Sequence, residues 1–238
     1  MHWLLTSISG AAEHSLPAWA LWHARLMVAA WSIILSLGML AARFLKIWPG
    51  QDWPRELDRR NWWHIHKYGQ SAGLALAALG LVLVLPNAAG TSPLASWHHL
   101  TGWAVIAIGA TQLAVGLLRG TRGGPGEPSP RGDHYDMTRR RVLFEYVHKT
   151  LGWLAVPPIV IATALGLVLA DAPRWMAVLL SLWWAVLIGV FVVLQRRGWC
   201  VDTYQALWGT EPDLPGNRRR PIGWGITRRR AAPRSTIS

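Results

Sequence analysis

The chain has 238 residues, of which 52% are hydrophobic and only 15% charged, with a net charge of +12. The charge is clustered in a way that excludes an ordinary soluble domain: no Asp, Glu, Lys or Arg occurs in residues 26–42, 68–118, 150–170 or 175–195. A bilayer core of about 30 Å takes about 20 apolar residues per helix, so these runs read as membrane spans. They are too long and too uniform for the alternating strands of a barrel.

In chain order the runs predict an all-α membrane protein with five transmembrane helices, at 20–46, 62–85, 97–119, 143–170 and 175–196, arranged as a four-helix core plus one extra helix. The run 68–118 breaks at PNAAGTSP, residues 86–93, where Pro, Asn and Gly mark a turn. Pro157-Pro158 removes backbone donors inside the fourth helix and predicts a kink there. Several of the 17 Trp, among them Trp19, Trp22, Trp48, Trp62, Trp63, Trp97 and Trp175, flank the spans as an aromatic belt does.

Of the 24 Lys and Arg, 22 fall within 43–67, 119–149 and 196–238, and only Arg25 and Arg174 lie elsewhere. With five spans those three segments share one face, and the positive-inside rule makes it cytoplasmic. The N-terminus is then outside and the C-terminus cytoplasmic. The charge serves the membrane surface, so membrane lipid is an expected partner and nucleic acid is not. Three regions result: an extracytoplasmic segment at 1–19, a transmembrane domain at 20–208, and a basic, Pro- and Gly-rich tail at 209–238 expected to be disordered. Residues 1–19 make a poor signal peptide. Residues 122–133, RGGPGEPSPRGD, read as a flexible loop.

The chemistry-bearing residues are histidines, nine in all. His2, His14 and His134 lie in polar segments and read as solvated. The other six, His23, His64, His66, His98, His99 and His148, stand near helix entrances. Because helices alternate direction, His23 and His98/His99 fall near the outer face, and His64/His66 and His148 near the inner one. Two opposed pairs of imidazoles, one per leaflet, suit the two axial positions of b-type haems held between facing helices. Zinc would want four ligands, and a proton path would need more polar groups within the spans. Cys200, the single cysteine, excludes the CxxCH attachment of c-type haem.

A repeat selects among the histidines. HHLTGWAVIAIGATQLAVGLL (98–118) and HKTLGWLAVPPIVIATALGLV (148–168) both fit H-x3-G-W-x12-G-L, aligning His98, Gly102 and Gly116 with His148, Gly152 and Gly166. Residues four apart share a helix face, and glycine leaves room there for a flat macrocycle. The pattern prefers His98 to His99 and, with Gln70 four residues on, His66 to His64. Arg25, Lys67 and Lys149 lie beside the proposed ligands, where cations would partner haem propionates or snorkel to the interface.

These residues resemble the eukaryotic-type cytochrome b561 family, especially the membrane half of its DOMON-fused members. HARLMVAAWSIILSLGMLAARFLK (23–46) looks like that family's first haem helix, which opens His-x-x-Leu-Met and closes Ala-Arg-Tyr-Leu-Lys. WWHIHKYGQSAG is similar to its His-x-x-x-Gln helix. HHLTGWAVIAIGATQLAVGLLR is similar to its His-x-x-x-Gly helix, with Gln112 and Arg119 in place, and FEYVHKTLGW matches its last haem helix. The resemblance covers about residues 20–208; no DOMON domain is expected ahead of it.

It implies two bis-histidine haems b, one on His23 and His98 and one on His66 and His148. It further implies single-electron transfer across the membrane, of the ferric or monodehydroascorbate reductase type. The lysines that ascorbate-using members carry before the second haem helix are replaced by Arg59, Arg60 and Asn61, while Arg139 and Arg140 match a basic position before the last histidine. The expected donor is therefore a quinol or an ascorbate-like molecule, and the acceptor an extracytoplasmic small molecule or periplasmic redox protein. A homodimer is compatible. The alternative is a haem-bearing anchor subunit that relays electrons between quinone and a periplasmic enzyme. The 21 Arg against three Lys fit a GC-rich bacterial gene, and hence a bacterial inner membrane.

Overall fold

The computed structural model describes residues 2–10, 16–87, 92–124 and 127–230. His14, part of the 86–93 turn and the last residues of the tail lie outside them. Among the described residues, five helices are long and apolar enough to cross a membrane: α1 (Ala18–Phe44), α2 (Asn61–Asn87), α3 (Pro93–Leu117), α4 (Arg139–Leu169) and α5 (Arg174–Arg196). A short α6 (Thr203–Trp208) follows. The sequence supplies the starts. Pro93 opens α3, and the Ser92 hydroxyl accepts from the Ala95 N–H. Thr138 caps α4 by accepting from the Arg141 N–H.

Two of the spans are not regular throughout. α4 breaks at Ala155, between Arg139–Leu154 and Val156–Leu169, just before the two prolines that cannot donate to the preceding turn. α1 widens to a π-helix over Val28–Leu35, which the apolar sequence did not announce. The altered register turns carbonyls outward. Ser32 O accepts from Trp183 Nε1 at 2.7 Å, and Leu35 O from Gln70 Nε2 at 2.9 Å.

The closest helix partnerships are α1 with α2 and α3 with α4; α5 packs at the margin. The two pairs meet midway along the bundle, where Ala30, Trp31 and Leu35 of α1 cluster with Ala77 of α2 and Val105 of α3. Gly109 makes this approach possible, since a Cβ there would come within 2.7 Å of the Trp31 ring. Leu179, Leu182, Val186 and Ile188 of α5 are exposed, as lipid-facing side chains should be.

The first and last described segments are both tied down. Near the N-terminus, Ser9 binds Asp171 through its N–H and hydroxyl, and Arg174 donates to the Thr6 hydroxyl. At the other end the expectation of disorder fails over the described part of the tail. Arg228 pairs with Asp202 at 2.6 Å and donates to the carbonyls of Asn217, Gly216 and Arg219. Ile222 is buried with Trp62, Met137, Tyr204 and Trp208. Pro, Gly and Arg give no periodic signal, but specific carbonyl and ion-pair contacts fix this stretch. Residues 200–208, to which the sequence assigned no role, are almost wholly buried beneath it.

Candidate functional site

Four histidines converge in two pairs. His23 of α1 faces His98 of α3 with ring centroids 6.3 Å apart and planes at 83°. His66 of α2 faces His148 of α4 at 6.1 Å and 86°. Each pair therefore joins the α1/α2 partnership to the α3/α4 partnership, on either side of the Trp31 core.

The partner helix orients the ring. His23 Nδ1 lies 2.9 Å from Gly80 O of α2, His66 Nδ1 3.2 Å from Gly38 O of α1, and His98 Nδ1 3.0 Å from Ala162 O of α4. An Nδ1–H donated to a carbonyl fixes the tautomer and leaves the Nε2 lone pair free for a metal. His148 departs from this rule. Its Nδ1 is buried without a partner, while its backbone carbonyl accepts from Gln112 Nε2 at 2.9 Å. The ring itself is stacked on Phe144.

The neighbouring histidines point elsewhere. His64 is exposed and stacks on Tyr68, and His99 lies beside His98 with its ring tilted at 54°. Of the repeat glycines, Gly166 backs the His98 ring, where an added Cβ would stand 3.1 Å from Cε1. Gly102 and Gly116 open onto space, and Gly152 faces Gln112. The three cations expected beside the ligands have protein partners: Arg25 lies over the Trp22 ring, Lys67 over the Tyr68 ring, and Lys149 binds Glu145 at 2.6 Å and Ile222 O at 2.8 Å.

The His66/His148 end holds a cavity of about 590 Å³, within the range for cofactor and small-molecule sites. Its wall carries Arg43, Arg119 and Arg141, which the sequence offered as basic inner-face residues or as matches to the family pattern, and Glu145 and His134, which it did not resolve into a site. Arg43 sits among the rings of Phe44, Trp153, Phe191 and Trp224, with its Nη2 on Trp224 O. Arg119 stacks over Trp63 at 4.1 Å. Glu145, 3% exposed, joins Arg141 and Lys149 at i−4 and i+4; that spacing was the one available signal.

His134 is corrected outright. Expected to be solvated, it is 4% exposed beneath Tyr204 and Trp208. Burial and the Arg141 guanidinium push its pKa well below the ordinary histidine value. Among the described residues no three of His, Cys, Asp and Glu converge on one metal position.

Fold and site together define a helical membrane protein with a facing histidine pair toward each end of its bundle. Residues 22–122 match the family model described as eukaryotic cytochrome b561. This stretch belongs to that family, whose members are transmembrane haem b electron-transfer proteins. The cytochrome b561, DM13 and DOMON domain-containing protein of Arabidopsis thaliana is 30% identical over 164 residues, which cover 69% of this chain and 16% of that protein. The chain thus spans a small part of the relative it matches. No solved structure matches it.

Proposed function

We propose that each histidine pair ligates one haem b, His23 with His98 and His66 with His148, and that the protein passes single electrons between them across the membrane. The observation that carries this reading is the spacing of the rings. A metal–imidazole bond of about 2.0–2.1 Å plus a ring radius of about 1.1 Å, taken from both sides, gives centroids about 6.3 Å apart. The pairs stand at 6.3 and 6.1 Å. Two facing imidazoles without a third protein ligand would suit a metal whose remaining positions a macrocycle fills. Gly102 and Gly116 leave the adjoining space clear.

A haem bound there supplies a one-electron ferric/ferrous couple. The protein does the rest. Helix carbonyls hold three of the four imidazoles in the ligating tautomer, the Trp31 core excludes water between the two sites, and α6 with the tail covers one of them. Arg25 and Lys67 stand near the rims as propionate partners, while Lys149 is drawn first to Glu145.

The positive-inside rule, applied to the basic segments, supports a cytoplasmic location for the His66/His148 end. The donor is then a quinol or ascorbate-like molecule on that side, and the acceptor is extracytoplasmic. The Arabidopsis relative lends the proposed bacterial inner membrane no support; that placement rests on the Arg-rich composition alone.

The test uses proteoliposomes with ferricyanide trapped inside and a membrane-impermeant reductant outside. Bleaching of the ferricyanide should require all four ligand histidines. His98→Ala should abolish it and His99→Ala should leave it. Bleaching that survives His98→Ala would sink the proposed relay.

A further inference from the structure

Electron transfer leaves one motif of the tail without a role. Residues 218–230 read RRRPIGWGITRRR, a charge-free stretch between two arginine triplets. Trp224 and Gly225 form a turn at its centre. The glycines on either side of Trp224 are both needed. Gly223 has φ +111° and Gly225 φ +65°, a region that side chains rarely adopt. An added Cβ would also stand 3.2 Å from Lys149 Cδ at Gly223 and 2.9 Å from Gln195 Nε2 at Gly225.

Side chains from three spans hold the backbone of this turn. Lys149 of α4 donates to Ile222 O at 2.8 Å, Arg43 of α1 to Trp224 O at 2.9 Å, and Gln195 of α5 to Gly225 O at 2.7 Å. The indole lies on Phe191 of α5 with planes at 5° and centroids 6.4 Å apart, and Trp153 of α4 meets it edge-on at 5.6 Å. Trp224 is nevertheless 66% exposed. A large aromatic ring is thus fixed in place with most of its surface uncovered.

What lies around it is the flank of two membrane spans. Val190, Val192 and Val193 of α5 are exposed at the level of Phe191. Phe191 lies five residues before Arg196, about 8 Å along the helix, and Trp153 four residues after Lys149, about 6 Å. The headgroup region of one leaflet is about 5–8 Å deep. That depth puts the ring where headgroups give way to acyl chains, the level at which Trp is enriched in membrane proteins. The arginines on either side suit the same surface. Arg219, Arg220, Arg229 and Arg230 are exposed, as are Arg196 and Arg197 at the end of α5, whereas Arg228 is taken by Asp202. Exposed arginines beside an apolar tip complement a leaflet of anionic lipid.

We propose that residues 218–230 dock on an anionic lipid leaflet, with Trp224 seated at the top of the acyl chains beside α5 and the exposed arginines on lipid phosphates. The tail that covers the His66/His148 end is then fastened to the bilayer as well as to the protein. The proposal needs α4 and α5 to span the membrane and is independent of what the histidines bind.

Spin-label accessibility of the full-length protein tests this, in nanodiscs of phosphatidylcholine and phosphatidylglycerol. Wild-type protein, whose Cys200 is buried, is the labelling blank. A nitroxide on Trp224→Cys should collide more often with oxygen than with the water-soluble nickel–EDDA complex, and one on Arg219→Cys the reverse. A benzophenone residue in place of Trp224, which keeps an aromatic ring there, should cross-link to acyl chains. Trp224→Asp should speed tryptic cleavage within 218–230 by about tenfold or more, the effect of taking a large apolar side chain out of its apolar surroundings. Trp224→Phe should change it little, and nanodiscs of phosphatidylcholine alone should weaken the wild-type protection. A label at 224 that meets the nickel complex as freely as one at 219, with benzophenone cross-links only to protein or to a second copy of the chain, would overturn the proposal.

Discussion

At the His23/His98 end both rings are tied through Nδ1 to carbonyls of the adjoining helix, Gly80 O and Ala162 O. At the His66/His148 end His66 has such a tie and His148 has none. That pair instead opens onto a cavity walled by Arg119, Arg141 and Glu145, beneath residues 200–230. Nearly the same ring spacing is thus reached by different means. Helix packing is enough for the first site. The second also depends on a charged network and on chain that returns from beyond the last span. Changes within the helices should therefore act on one site at a time, and changes in the tail on the His66/His148 site alone.

The comparison is broken most severely by removing a ligand. His66→Ala or His148→Ala should halve the haem content, from two per chain to one, and leave the His23/His98 haem with its absorption spectrum unchanged. Loss of both haems would mean that the sites are not independent. The converse change is Gly166→Leu. An added Cβ would already stand 3.1 Å from His98 Cε1, so the larger side chain should turn that ring and strip most of the His23/His98 haem. Haem analysis of the purified variant, with the His66/His148 signal as internal control, reads this directly.

Weaker effects should follow at the tail. Arg228→Ala leaves the buried Asp202 carboxylate without its partner and should cost about 3 kcal/mol. It would be read as faster proteolysis within 209–230 and a lower Tm, with the His23/His98 spectrum unaltered.

The smallest expected effect is at Asp133. Its carboxylate accepts from Thr138 Oγ1, Thr121 N–H and Thr121 Oγ1, which hold its pKa down to about 2. A depressed carboxylate stabilises the fold above its ordinary pKa, and that contribution is lost as the pH falls from about 4 to about 2. Asp133→Asn should therefore flatten part of the acid-unfolding curve of the connection before α4 while leaving stability at pH 2 close to wild type. A curve that keeps its full slope would contradict the role given to these bonds.

The spans and the break in α4 were legible because each rests on a local regularity. Charge-free runs gave the helices and Pro157-Pro158 the break at Ala155, while the H-x3-G-W repeat preferred His98, whose ring faces His23. The π-helical turn of α1 was not legible, since Val28–Leu35 reads as any apolar helix does; its carbonyls turn out to meet Trp183 and Gln70, which are remote in sequence. His134 was misread for a related reason. Its polar neighbours implied solvent, but Tyr204 and Trp208 arrive from about 70 residues later in the chain to cover it. Residues 209–230 of the tail were misread because backbone carbonyls there are held by Arg43, Lys149 and Arg228, and composition does not record such contacts. Local periodicity thus accounts for the His23/His98 site, whereas long-range contacts complete the other.

The measurement that bears most directly on the account is haem b per polypeptide in the detergent-purified protein, by pyridine haemochrome, joined to low-temperature EPR of the oxidised form. The account predicts two haems per chain. It also predicts strongly anisotropic low-spin signals, because imidazole planes near 83° and 86° leave the two iron orbitals that face them nearly equal in energy. One haem per chain, or none in a folded protein, would contradict it.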